Sequence, residues 1–140
     1  MTNKNIVELL DEETVARTTY AEACKYLATL KRSLDRTSRF TPALRYNICV
    51  LCFEKLFVAY IAHLGEMAEH HVPLALFSEA ARLDPGLPAT FKDIARAVGR
   101  FESICSLDGF GYQTPTDEDI RNMTCGLIEI NSYIEQKLKI

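Results

Sequence analysis

The sequence predicts an all-α protein: an up-and-down antiparallel four-helix bundle with one additional short helix, formed as a single domain over residues 1–140. Apolar residues recur every three or four positions over long segments. Proline, glycine and capping residues separate these segments where helices begin and end, and no segment alternates apolar and polar residues as a half-buried strand does. With 140 residues, 48% of them apolar, the chain can bury a core without a disulfide or a metal.

Two long helices are predicted in the first half of the chain. The first covers about residues 11–35 and has acidic residues at 11–13, where the helix dipole favours negative charge. The second covers residues 42–64: Thr41 is a good N-cap, a proline follows it, and Gly65 ends the helix. This second helix is apolar nearly all round. It therefore lies at the centre of the bundle, or one of its faces packs on a second subunit.

Three further helices are predicted in the second half. A short helix over 73–83 ends at an Asp-Pro-Gly turn, and a fourth helix covers about 88–105. The fifth covers about 116–139 and opens on a threonine with Asp119 three residues later, a pattern typical of a capping box. The fourth and the fifth helix each carry a continuous apolar stripe at helical spacing.

Charge, cysteines and hydropathy predict a cytoplasmic protein with no membrane association. The net charge of −3 and the pI near 5.6 argue against a uniformly basic surface for nucleic acid. The first apolar run is short and interrupted by Glu8, unlike a signal peptide. The most apolar stretch, 48–64, carries Glu54 and Lys55 in its middle, which favours a buried helix over a membrane span. The five cysteines have no secreted-domain pattern and indicate free thiols.

The second helix and the segment after it resemble those of the HEPN domain family. Residues 52–65, CFEKLFVAYIAHLG, are similar to the Glu-Lys core, apolar run and glycine of that family's second helix. Residues 70–77 resemble its histidine-containing turn into a leucine-rich short helix, and the similarity in layout covers about residues 12–138. The residues that carry the resemblance are Glu54, Lys55, Gly65 and His71.

The resemblance implies a helical bundle that is often dimeric. Some HEPN proteins pair with small nucleotidyltransferases and are proposed to bind nucleotides. Others are metal-independent ribonucleases with an Arg-(four to six residues)-His motif near the last helix. No arginine precedes His63, His70 or His71 at that spacing. The implied function is therefore a non-catalytic binding module without a cofactor, homodimeric through the second helix, that holds a nucleotide, RNA or a partner protein such as a small nucleotidyltransferase.

Two groups of basic residues are candidates for anion binding. Residues 25–45 contain six bases against Asp35 alone, and Lys92, Arg96 and Arg100 step by four along the fourth helix. Arginine forks match phosphate oxygens, whereas the alternatives are a solvated helix end for the first group and an ordinary polar face for the second. Convergence of the two groups would favour an anion site. The candidate ligand-binding residues are Arg32, Arg36, Arg39, Arg45, Glu54, Lys92, Arg96 and Arg100.

Glu54 and Lys55 lie inside the most apolar helix, where an unpaired charge costs several kcal/mol. Three alternatives remain open: Glu54 pairs with an arginine of a neighbouring helix, the two residues face an exposed groove, or they bind a ligand or act chemically. Cys49 and Cys52 have the spacing of a redox or zinc pair but lie within a helix, so core packing is the preferred interpretation.

Other patterns are weaker. A Gly-x-Gly pattern at 109–111 precedes the fifth helix without a strand before it, and this makes it a poor phosphate-binding motif. A metal site around Gly65 has only weak candidates, and a polar surface loop without metal is preferred. These candidates are His63, Glu66, His70 and His71.

Two other function classes compete with the HEPN-like module. The first is a protein-interaction bundle, antitoxin-like or an adaptor, which would show a large apolar patch on the second or last helix. The second is an enzyme with an unrecognised site, metal-dependent at the histidine and glutamate group around Gly65.

Overall fold

The computed structural model describes residues 2–34, 39–105 and 114–139, including all side chains in these ranges except those of 2–10 and 102–105. All regular structure in these ranges is α-helical, which confirms the predicted all-α class. No helix in the described ranges is long and apolar enough to cross a bilayer. The helices are α1 (Thr2–Leu34), α2 (Pro42–His63), α3 (Pro73–Leu83), α4 (Thr90–Cys105) and α5 (Asp117–Leu138).

The ends of α2 and α5 follow the capping residues in the sequence. The Thr41 hydroxyl accepts a hydrogen bond from the Leu44 N–H at 3.2 Å. Gly65 follows the end of α2 with a φ of +96°, a conformation that favours glycine. At α5 the Asp119 N–H donates to the Thr116 hydroxyl at 3.1 Å, and the Thr116 N–H donates to the Asp119 carboxylate at 2.8 Å. This is the predicted capping box.

The predicted start of the first helix was wrong. α1 begins at Thr2 and not near residue 11, and its first turn holds no acidic residue. The acidic run at 11–13 lies inside the helix, where Glu13 bonds Arg17 one turn later at 2.8 Å. Glutamate is a good helix former in such a position, so an acidic run alone does not define a helix start.

α2 lies at the centre of the fold and contacts each of the other four helices. Its Phe53 and Phe57 rings stack at 4.5 Å and are fully buried. Only a narrow strip of α2 faces outward, where Leu44 is 43% exposed and Leu51 38%. The nearly all-round apolar character of this helix therefore reflects packing against four neighbours.

Cys49 and Cys52 pack in this core, as preferred from the sequence. Both side chains are fully buried, and the Cys52 thiol lies 3.6 Å from the Ala23 carbonyl oxygen. Burial raises the pKa of the Cys49 thiol to about 12 and raises that of Cys52 as well. Neither thiol is a reactive thiolate at neutral pH.

Asp84 joins three parts of the fold. The hydroxyls of Tyr60 on α2 and Tyr133 on α5 both donate to its Oδ2 atom at 2.6 Å, and the Gly86 N–H donates to Oδ1 at 3.0 Å. Burial alone would raise the pKa of Asp84, but the hydrogen bonds from Tyr133, Tyr60 and Gly86 outweigh it and lower the pKa. The turn between α3 and α4 is thus fixed to α2 and α5.

Gly126 marks a close approach of α5 to α4. A Cβ at this position would lie 2.9 Å from Cγ2 of Ile94, nearer than real Cβ contacts come. We therefore expect Gly126→Val to lower the free energy of unfolding by about 2 kcal/mol in urea denaturation.

Gly99→Ala is the matched control for this substitution. Its added methyl would meet Pro73 at 3.7 Å, an ordinary contact. Replacing a mid-helix glycine stabilises a helix by up to about 1 kcal/mol, so this variant should be at least as stable as the wild type. Equal losses in both variants would contradict the close approach at Gly126.

Asp84→Asn tests the hydrogen bonds to the carboxylate. We expect it to lower the free energy of unfolding by about 1–3 kcal/mol at pH 7, because two tyrosine hydroxyls lose a charged acceptor. Ionised Asp84 has a lowered pKa in the folded state. Its contribution is therefore complete above the unfolded value near pH 4 and is lost as the pH falls through the folded value. Urea denaturation at pH 7 and pH 3 should show the difference between the two proteins shrinking; a constant difference would refute this role.

Candidate functional site

Arg96 and Arg100 line an open groove between the start of α3 and the outer face of α4. The groove has a volume of about 620 Å³. Its apolar wall is formed by Val72 and Leu74, which are 62% and 38% exposed. Lys92 lies one turn earlier on α4 and is exposed, but it is not among the residues that line the groove. The structure thus places two of the three predicted α4 bases beside exposed apolar side chains.

Positive charge in this groove is only partly neutralised. Arg96 Nη1 lies 3.4 Å from Asp93 Oδ1, but both side chains are well exposed, so the pair is weak. The Arg100 guanidinium lies 5.5 Å from the centre of the Phe101 ring and has no carboxylate within ion-pair distance in the described part of the chain. An anionic ligand would therefore find two arginine forks and one weakly paired carboxylate.

A second hollow of about 260 Å³ adjoins the groove between α4 and α5. Arg100, Asp93 and Ala97 border both spaces. The second hollow adds Asp119, a second carboxylate, and Asn122, an amide that can donate and accept hydrogen bonds, whereas the Phe101 ring in its wall is only 4% exposed. Arg100 thus borders both spaces, and the groove is the less acidic of the two.

Arg45, one of the predicted ligand-binding residues, joins two helices and does not line the groove. Its side chain is 9% exposed and pairs with the carboxylate of Asp117 at the start of α5. Its Nε atom has no hydrogen-bond partner in the described residues. The nearby Tyr46 hydroxyl donates to the Val98 carbonyl oxygen at 2.6 Å, which fixes the start of α2 against α4. Arg45 therefore ties helices together and lies outside the groove.

The other predicted bases do not join the α4 group. Arg32 and Arg39 are exposed, and Arg32 lies 3.4 Å from the Thr29 hydroxyl on its own helix. Neither lines the two hollows that border α4. Arg36 and the Gly-x-Gly segment at 109–111 lie outside the described residues. The convergence that would have favoured a shared anion site is therefore not seen among the described bases.

Glu54 pairs with a histidine, so of the alternatives left open for this residue an arginine partner on a neighbouring helix is not the one observed. Its Oε1 atom lies 2.9 Å from Nδ1 of His71, which belongs to the segment between α2 and α3. Lys55 pairs instead with Glu22 of α1 at 3.2 Å. The two charges in the apolar helix are thus partly exposed and separately paired at its outer face.

The weak metal candidates are engaged in separate pairs. His70 lies 2.5 Å from Glu79, and Glu66 lies 2.5 Å from Arg82. Burial raises the pKa of Glu79, but the hydrogen bonds from His70 and the Glu69 N–H outweigh it and lower the pKa. His63 stacks on Tyr60 of its own helix at 6.5 Å. Among the described residues, no three histidine, cysteine or acidic side chains come together as a metal site would require.

Sequence reasoning missed the apolar wall of the groove. Val72 and Leu74 flank Pro73 at the start of α3, and a sequence pattern does not show which residues of a short helix remain uncovered.

Comparison of the chain with protein-family models, curated proteins and solved structures gives no match. The groove lining contains one carboxylate and no serine, cysteine or histidine. Its chemistry therefore supports binding of an anion and offers no nucleophile.

Proposed function

We propose that this chain is a non-catalytic, HEPN-like helical binding module that holds a phosphate-bearing ligand, a nucleotide or a short single-stranded RNA, in the groove on α4. The observation that carries the proposal is the placement of Arg96 and Arg100 in one groove beside exposed Val72 and Leu74. Guanidinium forks bind phosphate oxygens bidentately, and an apolar wall covers the face of a base or sugar.

The proposal includes the helix arrangement that the resemblance implies: α1, α2, α4 and α5 as an up-and-down antiparallel bundle with α3 as the additional short helix. Three contacts support it. The Cys52 thiol bonds the α1 backbone at Ala23, the Tyr46 hydroxyl bonds α4 at Val98, and Tyr60 packs on α5. Each of these contacts joins α2 to one of the three other long helices, as a central helix of such a bundle would require.

Isothermal titration calorimetry with AMP, ATP, GTP and a short single-stranded RNA tests the ligand. We expect at least one of them to bind the wild type, and the double variant Arg96→Ala/Arg100→Ala to bind it at least about tenfold more weakly, since each charge-assisted hydrogen bond contributes about 1.5–3 kcal/mol. Lys92→Ala is the matched control, because it removes one charge from the same helix outside the groove. It should change the affinity by less than about twofold.

Two results would contradict the proposal. One is that none of these ligands binds; the other is that the double variant binds as tightly as the wild type. Because both arginines are exposed, circular dichroism should show unchanged helix content and thermal unfolding, so a loss of affinity cannot be attributed to misfolding.

A second function is favoured by the outer strip of α2. Leu44 and Leu51 lie seven residues apart on one helix face and are more than one-third exposed, with exposed Phe40 just before the helix. Apolar side chains at this spacing suit a partner helix. We propose this strip as the contact for a partner protein, which the HEPN resemblance suggests is a small nucleotidyltransferase.

Co-expression with a small nucleotidyltransferase tests this contact. We expect Leu44→Lys/Leu51→Lys to abolish co-purification without lowering the melting temperature, because both side chains are already exposed. Met67→Lys is the control, since Met67 is 52% exposed and lies off α2. Co-purification that survives the double substitution, or is lost equally in the control, would exclude the strip as the contact.

A further inference from the structure

A hollow of about 550 Å³ lies between α1 and the C-terminal ends of α2 and α5. One face of α1, from Glu13 to Cys24, forms one wall, and His63 and Leu138 mark the two helix ends that form the other. We call this space the end hollow. It shares no described lining residue with the groove on α4. Its volume lies within the range of small-molecule sites, about 300–1,000 Å³.

The walls of the end hollow are mainly apolar. Ala16 and Ala21 line it with methyl groups only, so this face of α1 leaves the space unfilled, and Leu138 and the Tyr20 ring add larger apolar surfaces. The Tyr20 hydroxyl donates to Oδ1 of Asn131 on α5 at 2.8 Å. This bond fixes α1 against α5 beside the hollow, so the space is formed before any ligand arrives.

The charges around the end hollow are largely balanced. Arg17 lies 2.8 Å from the Glu13 carboxylate, so the two charges of this pair cancel. Lys139 is exposed to water and is the C-cap residue of α5, where the negative end of the helix dipole offsets part of its charge. Burial, together with the neighbouring Cys24 thiol, raises the pKa of the Tyr20 hydroxyl, which therefore stays neutral. The interior of the hollow thus offers an ion little to replace its hydration.

Two polar side chains can orient a neutral ligand in this space. The His63 ring borders the hollow, stacks on Tyr60 at 6.5 Å and can donate or accept a hydrogen bond through its nitrogen atoms. The Cys24 thiol is half-buried in the α1 wall and is a weak donor. A largely apolar lining with a few polar groups is typical of sites for small molecules.

We propose that the end hollow is a second ligand site of this chain and takes a neutral, largely apolar small molecule that carries one polar group. The apolar part of the ligand lies against Ala16, Ala21 and Tyr20, and its polar group meets the His63 ring. The chemistry of this ligand differs from that proposed for the groove on α4. The groove lining has two arginines and one carboxylate, whereas the charges around the end hollow are balanced.

Isothermal titration calorimetry with three probes of one shape tests the site and its charge preference. At pH 7, 2-naphthol is neutral, 2-naphthoate is anionic and 2-naphthylmethylammonium is cationic. The titrations use the full chain with Arg96→Ala/Arg100→Ala, so that the groove arginines do not hold the anionic probe. We expect 2-naphthol to bind at one site, and both charged probes to bind at least about tenfold more weakly, because their hydration is not replaced there.

Ala21→Trp, added to the same chain, locates the bound probe. Ala21 lines the end hollow from an exposed position, so the larger side chain fills the space without entering the core. It should lower the affinity for 2-naphthol at least about tenfold and leave thermal unfolding unchanged. Thr18→Trp is the matched control, because Thr18 is exposed on the same helix and is not among the residues that line the hollow. It should change the affinity by less than about twofold.

Four results would overturn the proposal. They are no binding of 2-naphthol, equally tight binding by the Ala21→Trp chain, an equal loss of affinity in the Thr18→Trp control, and a charged probe that binds as tightly as the neutral one. None of these results involves a nucleotide or an RNA. The function proposed for the groove on α4 is therefore tested separately from this site.

Discussion

The burial of α2 on all sides is the constraint on which the rest of this structure depends. Its large side chains, such as Phe53, Leu56 and Phe57, are fully buried, and each contributes about 1.5–3 kcal/mol when removed from water. α3 and α4 do not contact α1 within the described residues. The two helices that form the groove are therefore held to α1 only through α2 and α5, and loss of packing on α2 would separate the groove from half of the core.

Polar contacts fix the positions of the helices along one another, which apolar packing alone does not determine. Apolar burial is non-directional, so it does not by itself set how far along α2 the α3–α4 turn lies. Asp84 sets this position because its carboxylate accepts hydroxyls from both α2 and α5. The Tyr46 hydroxyl does the same for the middle of α4 through the Val98 carbonyl. Arg96 and Arg100 lie within one turn of Val98, so this bond positions them beside Val72 in the groove.

Helix limits were predictable wherever a local interaction defines them, as the Thr41 cap and the Thr116–Asp119 box do. The start of α1 was not, because an acidic run stabilises a helix interior as well as its start. The groove depends on tertiary contacts that spacing does not contain. Lys92, Arg96 and Arg100 share one face of α4, yet α3 lies close enough to form a wall only beside the last two. The ion pair of Arg45 likewise depends on Asp117, which lies 72 residues away.

The charge distribution restricts what the groove can bind. The net charge of −3 gives no long-range attraction for an anion, and at physiological salt such fields fade over about 8 Å. Under the proposed function, affinity would come from direct contact with two guanidinium groups and from burial against Val72 and Leu74. A long polyanion such as duplex nucleic acid gains from many dispersed phosphate contacts, whereas the lining of the groove has two arginines. Under the proposed function, a compact ligand that joins one anionic group to one apolar ring would use both features of the groove at once, which a duplex could not do.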